Sequence, residues 1–192
     1  MLPHPPAIVR CDGCGHVYWL KDAQKIGELS LGEKCESAAP PEWQQAEFVH
    51  EPDEGGYYRA IGRGMARTRE EEKEARILAW WKSNEPLRRD LNVMPSGIDV
   101  GGRQANLECL ISLLDEDEER DRITKAEILR ELGRFEEALA TLGAVHQGDS
   151  PLFARQIERF CKEGDKLVKR IDLDGERAER RPPKRRPWWK FW

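Results

Sequence analysis

The chain has 192 residues, of which 39% are hydrophobic and 35% are charged, enough for one medium-sized domain or two small ones with an apolar core. This balance excludes a wholly disordered chain, and no apolar run approaches the roughly 18 residues that a membrane-spanning helix needs. The net charge of -4 is unevenly placed, because residues 176–192 carry seven Lys and Arg against two acidic residues, whereas residues 1–175 carry 25 against 34. The acidic body argues against a basic nucleic-acid-binding domain.

The N-terminal residues show no apolar run behind a basic start, the pattern of a secretory signal, so we expect a cytoplasmic protein. Five cysteines would stay reduced there. An odd number that includes one close Cys-x-x-Cys pair indicates metal ligands and free thiols rather than a disulfide framework.

Residues 1–55 are rich in Pro, Gly, Cys and Trp and show no sustained helical period, which predicts a small loop-dominated module. Strand-like runs at residues 7–10 and 16–19 flank a turn that contains Cys11 and Cys14. The Pro- and Gly-containing run at residues 51–56 marks the predicted boundary of this module.

The hexapeptide from Cys11 to His16, Cys-x-x-Cys-Gly-His, resembles the first knuckle of zinc-ribbon and rubredoxin-like modules. The resemblance covers about residues 7–20 and implies a structural zinc ion, held by Cys11 and Cys14 as half of a tetrahedral site. Cys35 is the candidate third ligand. The fourth is His50, His4, His16 or water, and His50 is preferred because it lies on the far side of Cys35.

Other metal and thiol chemistry is disfavoured by the sequence. It contains no His-Glu-x-x-His motif, which argues against a catalytic zinc ion. A redox pair would begin a helix, and the residues after Cys14 are poor helix formers. Zinc would instead supply folding free energy to a segment with few aliphatic side chains.

Residues 56–174 have the patterns of a mainly α-helical body. One or two helices are predicted between Tyr57 and Arg89, with Asn84 to Pro86 ending the last one. Further along, apolar residues recur at the spacing of one helix face and predict antiparallel helices joined by short turns. These residues are Leu107, Leu110, Ile111 and Leu114; Ile123, Ala126, Leu129 and Leu132; Phe135, Ala138, Leu139 and Leu142; and Phe153, Ile157, Phe160, Gly164, Leu167 and Ile171.

The segment from Ala126 to Leu139 resembles the middle of a tetratricopeptide repeat, because Ala126, Gly133, Phe135 and Ala138 occupy the family's small, turn, aromatic and small positions in order. The resemblance covers one unit of about 30 residues and implies a tightly packed helical hairpin. A solenoid with a concave peptide-binding surface does not follow from one unit. The hairpin is therefore either an interaction surface or part of the core.

Trp80 and Trp81 form either a recognition patch or a packing contact. Adjacent residues on a helix project about 100° apart, so at most one indole faces the core squarely. Cys109 and Cys161 lie in apolar helical stripes and are expected to be buried thiols.

Residues 175–192 form a basic, aromatic tail that three prolines keep from being a regular helix. Its candidate binding residues are Lys184, Arg185, Arg186, Trp188, Trp189 and Trp192. This composition is typical of segments that bind an anionic membrane surface or stack on single-stranded nucleic acid. The alternatives are a tail that folds back onto the acidic body, one that docks on a partner, and one without a function.

Together these patterns predict a non-enzymatic adaptor or accessory protein that binds a protein partner through its helical body and carries a structural zinc module. The alternative is a peripheral membrane or nucleic-acid-binding protein acting through its tail. Hydrolase or redox activity is disfavoured because no nucleophile and base pair can be identified.

Overall fold

The computed structural model describes residues 5–27, 40–44, 46–89, 100–143 and 151–169. It is mainly helical with a small three-stranded sheet, which confirms the predicted helical character. The chain divides into two compact units, Met1–Leu113 and Leu114–Trp192. The elements are β1 (Ile8–Cys11), β2 (Val17–Trp19), a 3-10 turn (Leu20–Asp22), α1 (Pro41–Gln44), β3 (Val49–His50), α2 (Glu54–Gly62), α3 (Arg69–Arg89), α4 (Val100–Leu113), α5 (Glu119–Glu131), α6 (Phe135–Leu142) and α7 (Pro151–Lys162).

The sheet of the first unit is antiparallel, with the strand order β2-β1-β3. Ile8 lies opposite Trp19 on β2, and Arg10 lies opposite Val17 on one side and His50 on the other. The central strand is thus hydrogen-bonded on both sides, whereas β2 and β3 are edge strands.

The core of the first unit joins the sheet to α2 and α3. Ile8, Trp19, Tyr57, Ala75 and Ala79 are each at most 2% exposed and pack in one cluster. The predicted boundary at residues 55 and 56 falls inside this unit, and the strands share their core with the two helices that follow.

The region from Tyr57 to Arg89 contains two helices separated by a turn at Gly64. The prediction that Pro86 ends the second helix is wrong, because α3 continues to Arg89. Proline removes one backbone N–H and crowds the preceding turn. Ser83 and Asn84 are almost fully buried there, so packing favours a last helical turn that local propensity opposes.

The part of the second unit that the structure describes contains α5, α6 and α7, which pack on one another. Ala126 and Ala138 are completely buried, and α5 packs against α6. Gly133 joins the two helices with φ of +78°. Its N–H and that of Arg134 donate to carbonyls of the last turn of α5, an arrangement that needs a residue without a Cβ.

The stripe predicted along the last helix is only partly present. Ile157 and Phe160 are buried, but Phe153 is 37% and Leu167 58% exposed. Helix α7 ends at Lys162, so Leu167 no longer follows the helical period, and Val168 is buried instead. Ile171 lies outside the described residues.

The two helical cysteines differ in exposure. Cys161 is buried as expected, whereas the expectation that Cys109 is a core thiol is wrong because Cys109 is exposed. On α4 it lies beside the buried stripe of Leu107 and Leu110 and points away from it.

A buried arginine fixes the segment that follows α7. The Arg130 guanidinium donates to the Glu127 carboxylate at 2.6 Å and to the carbonyls of Asp165 and Leu167 at 2.6 and 2.9 Å. It also lies over the Phe160 ring. A buried charge is tolerated only when its donors are paired, so these contacts hold residues 165–167 against α5.

Candidate functional site

The cysteine pair lies in the turn between β1 and β2. Cys11 is the last residue of β1, and Cys14 follows within the turn. The Cys11 N–H donates to the His16 carbonyl, and the Gly15 N–H donates to the Cys11 carbonyl, both at 2.9 Å. Gly15 has φ of +69°, which favours glycine. The structure therefore contains the tight turn that the Cys-x-x-Cys-Gly spacing predicts.

The same turn directs hydrogen-bond donors at the Cys11 sulfur. The pKa of Cys11 is lowered because its thiolate accepts hydrogen bonds from the backbone N–H of Cys14, the Cys14 thiol and the backbone N–H of Gly13. Burial and the negative charge of Glu47 act in the other direction and raise this pKa. Both thiols are free, and Cys14 is exposed. Thiolates are the form of cysteine that binds metal, so the pair is suited to supply two ligands.

His50, the preferred fourth ligand, lies on a different face of the sheet from Cys11. Directly opposed residues of antiparallel strands project from the same face and successive residues alternate; His50 is opposite Arg10, whereas Cys11 is opposite Val49. The His50 Nε2 is 3.0 Å from the Asp12 Oδ2. The structure therefore brings His50 to Asp12 and not to the cysteine pair.

The remaining candidate ligands are not joined to the pair. Cys35 and His4 lie outside the described residues, and His16 stacks on Tyr18 with 5.9 Å between ring centroids. Within the described ranges no group of three or more His, Cys, Asp or Glu is placed to hold a metal ion. Cys11 and Cys14 are the two predicted ligands that the structure brings together.

A groove of about 340 Å³ lies between β2 and the end of α2. One wall is formed by the five consecutive residues Gly15 to Trp19, and the other by α2 and the turn after it. A strand presents only alternate residues on one face. Five consecutive lining residues therefore mean that the groove runs along the edge of β2. We call it the edge groove.

At this edge, β2 has backbone N–H and C=O groups that are not used in hydrogen bonds to β1. The Cys11 N–H donates to the His16 carbonyl, and the Leu20 N–H donates to the Ala7 carbonyl. Hydrogen bonds in an antiparallel pair recur at every second residue, so every second residue of β2 bonds β1. The N–H and C=O of Val17 therefore face away from β1, into the edge groove. Among the described residues no backbone group on that side bonds Val17, so the edge is open to a further strand.

The opposite wall is tied to β2 through the side chain of Trp19. The Trp19 indole N–H donates to the Met65 carbonyl at 3.3 Å, and its ring is almost completely buried. Met65 follows the turn at Gly64, which has φ of +76°. The width of the edge groove is thus set by core packing and one long-range hydrogen bond.

Three arginines line the edge groove: Arg59, Arg63 and Arg67. Arg59 is 63% exposed and is 3.7 Å from Asp53, a distance at which an exposed ion pair contributes little. Arg63 is exposed, and the described residues offer it no ion-pair partner. The one lining carboxylate, Asp22, bonds Arg67. The groove is therefore basic in a chain with more acidic than basic residues.

Arg67 and Glu71 anchor the end of the groove. Arg67 donates to both Glu71 oxygens, and the Lys21 ammonium is 2.8 Å from the same carboxylate. Hydrogen bonds from Arg67, then from Lys21, lower the pKa of Glu71 to about 2. Because Glu71 is buried on α3, this network holds the turn after α2 in place.

Of the two adjacent tryptophans, Trp80 is 7% exposed and Trp81 is 43% exposed. Only Trp81 presents its ring at the surface of the first unit. The tail candidates Lys184, Arg185, Arg186, Trp188, Trp189 and Trp192 lie outside the described residues.

Sequence reasoning identified the cysteine turn but missed the edge groove. Neither Arg59 nor Arg63 belongs to a motif that predicts a binding site. The signal that could have revealed it is the pair Arg59 and Arg63, four residues apart and thus on one face of a helix, with glycines on both sides of Arg63.

Among the helices that the structure describes, none combines the length and the apolar character needed to cross a bilayer. Comparison of the chain with models of protein families, with curated proteins and with solved structures finds no match.

Proposed function

We propose that this chain is a non-enzymatic adaptor that binds a protein partner by accepting an extended segment of that partner at the edge of β2. The observation that carries the proposal is the open strand edge at Val17, which lines a groove of about 340 Å³. Strand addition to an exposed edge is a common mode of peptide recognition, in which backbone hydrogen bonds supply affinity.

The proposal keeps the predicted protein partner and changes the predicted surface. Docking was expected on the helical body, whereas the groove combines β2 with α2. The hairpin of α5 and α6 has its small residues Ala126 and Ala138 buried. This supports a tetratricopeptide-like hairpin as a packing unit more than as a binding surface.

Structural zinc is part of the proposal as a brace for the β1–β2 turn. Cys11 and Cys14 lie together and would supply two of the four ligands, and backbone N–H groups face the Cys11 sulfur. Cys35, from the sequence alone, is the third candidate ligand. Zinc bound there would hold the turn next to Gly15 and His16, where the edge groove begins.

The experiment compares two proline variants at the two edges of one sheet. Val17→Pro removes the N–H that faces the edge groove, and Val49→Pro removes the equivalent outward N–H of β3, because Asp12 and not Cys11 is hydrogen-bonded to that strand. Proline is tolerated at an edge where the N–H is free.

Peptides that bind are first selected from a random library displayed on phage. We expect Val17→Pro to weaken binding of the selected peptides by about tenfold and Val49→Pro to leave it unchanged. Equal binding by the two folded variants, checked by circular dichroism, would contradict docking at β2.

A further inference from the structure

We propose that the edge groove selects an acidic extended segment, one with Asp or Glu at alternate positions. This inference rests on the proposed function, since it names the chemistry of the partner that β2 accepts. The acidic preference is inferred from the arginines on the wall opposite the strand edge, whereas the edge itself supports only the binding of an extended segment.

The charge of the groove is not cancelled by its own residues. Arg59, Arg63 and Arg67 face it with one carboxylate, that of Asp22. Asp22 and Glu71 bond Arg67. Arg59, which has an exposed ion pair with Asp53 at 3.7 Å, and Arg63 are left to attract an anion. Both side chains are exposed, so a ligand reaches them without any rearrangement of the core.

The spacing of these two arginines matches an extended peptide. Residues four apart on a helix are separated by about 6 Å along its axis. Alternate residues of a strand lie on one face and are separated by about 6.7 Å. Because these separations are similar, a strand paired with β2 that carries carboxylates at alternate positions can offer one to each arginine, and charge-assisted hydrogen bonds would add to the backbone bonds.

A peptide fits the groove better than a nucleotide or a free phosphate. A single phosphate would contact the arginine wall alone and leave the backbone groups of the strand edge unused. The other wall presents backbone groups in the spacing of a strand. The groove also offers little aromatic surface on which a base could stack, because the His16 and Tyr18 rings stack on each other.

The test uses the full chain and a fluorescein-labelled peptide, Thr-Glu-Val-Glu-Val-Glu-Thr, with fluorescence anisotropy as the readout. Three further probes are the same peptide with Gln for Glu, the Glu peptide with methylated backbone amides, and an oligothymidylate. The variant Arg59→Glu with Arg63→Glu is compared with Arg120→Glu with Arg155→Glu. The second pair changes the net charge equally at exposed positions of the second unit.

We expect the Glu peptide to bind, the Arg59 and Arg63 variant to lose about tenfold in affinity, and the Arg120 and Arg155 variant to change by about twofold or less. Affinity should fall as the salt concentration is raised from about 0.05 M to about 0.5 M, because salt screens the interactions between exposed charges. Amide methylation should abolish binding on the unaltered protein.

Each other outcome overturns a defined part of the account. If the Gln peptide binds as tightly as the Glu peptide, the acidic selectivity is wrong and strand addition stands. If the methylated peptide or the oligothymidylate binds as well as the Glu peptide, the site is a general anion site and strand addition is wrong. If no peptide binds, both proposals fail.

Discussion

The two units of this protein differ in how completely their backbone hydrogen bonds are used. In the second unit, α5 and α7 end in turns at Gly133 and Gly164 whose N–H groups return to carbonyls of the last helical turn. In the first unit, β2 leaves the polar groups of Val17 without a backbone partner on one side among the described residues. Among the described residues, the ends of α5 and α7 are closed by their own chain, whereas β2 has an edge that is open to a further strand.

Under the proposed function, packing and binding belong to different units. Buried alanines and a buried arginine specify the second unit, so changes there should alter stability and leave peptide binding intact. The first unit has its own core of strand and helix residues, and changes next to the groove should alter binding. Each of the following predictions tests one side of this separation.

The largest expected effect is that of Arg130→Met. The side chain is fully buried and bonds Glu127 and the carbonyls of Asp165 and Leu167. Its loss leaves a carboxylate and two carbonyls unpaired, which should lower the free energy of unfolding of the second unit by about 3–5 kcal/mol. Urea denaturation followed by helical circular dichroism measures this.

The matched control is Arg134→Met, where the ion pair with Glu137 is more than one-third exposed on both sides. An exposed pair contributes about 0–1 kcal/mol. Equal destabilisation by the two substitutions would contradict the buried clamp.

The next effect is that of Ala138→Trp. Ala138 is completely buried where α6 packs on α5, and overpacking a close helix contact costs about 1–3 kcal/mol, occasionally more. Glu137→Trp adds the same side chain at an exposed neighbouring position and should change little. Thermal melting distinguishes them, and similar melting temperatures would refute the close contact.

A smaller effect is expected at Trp19→Phe in the first unit. Phenylalanine keeps most of the apolar ring but loses the N–H donated to Met65, which leaves a part-buried carbonyl without this donor at a cost of about 1–2 kcal/mol. Because the bond joins the walls of the edge groove, affinity for the Glu peptide should fall as well. Unchanged affinity in a destabilised variant would show that the bond does not set the groove width.

The smallest effect is a pH dependence at Glu71. Its pKa is lowered from 4.5 to about 2, so the carboxylate binds a proton less readily in the folded chain than in the unfolded one. The stability it contributes is complete above about pH 5 and is lost as the pH falls toward 2. Glu71→Gln should flatten the fall in melting temperature of the first unit between pH 5 and pH 3, and an unchanged slope would contradict this.

The second unit could be predicted well from the sequence because its rules are local. The spacing of Ala126, Leu129 and Ala138 and the position of Gly133 each depend on neighbours within one or two helical turns. The prediction failed at Leu167, where α7 had already ended at Lys162. Periodicity alone does not tell where a helix stops, although Gly164 was a signal for it.

The edge groove could not be predicted in the same way. Trp19 and Met65, which join its walls, are 46 residues apart. The free edge depends on which strand lies in the middle of the sheet. No local pattern encodes that order. Likewise the position of His50 on the far side of Cys35 in the sequence favoured it as a zinc ligand, whereas the register of β3 turns it toward Asp12.

The central claim is that the free edge of β2 receives a strand, and amide hydrogen exchange measured by NMR tests it most directly. With the Glu peptide at saturation, the Val17 amide should exchange at least about tenfold more slowly, while the outward Val49 amide on the opposite edge should not change. Equal exchange of Val17 with and without the bound peptide would contradict the account.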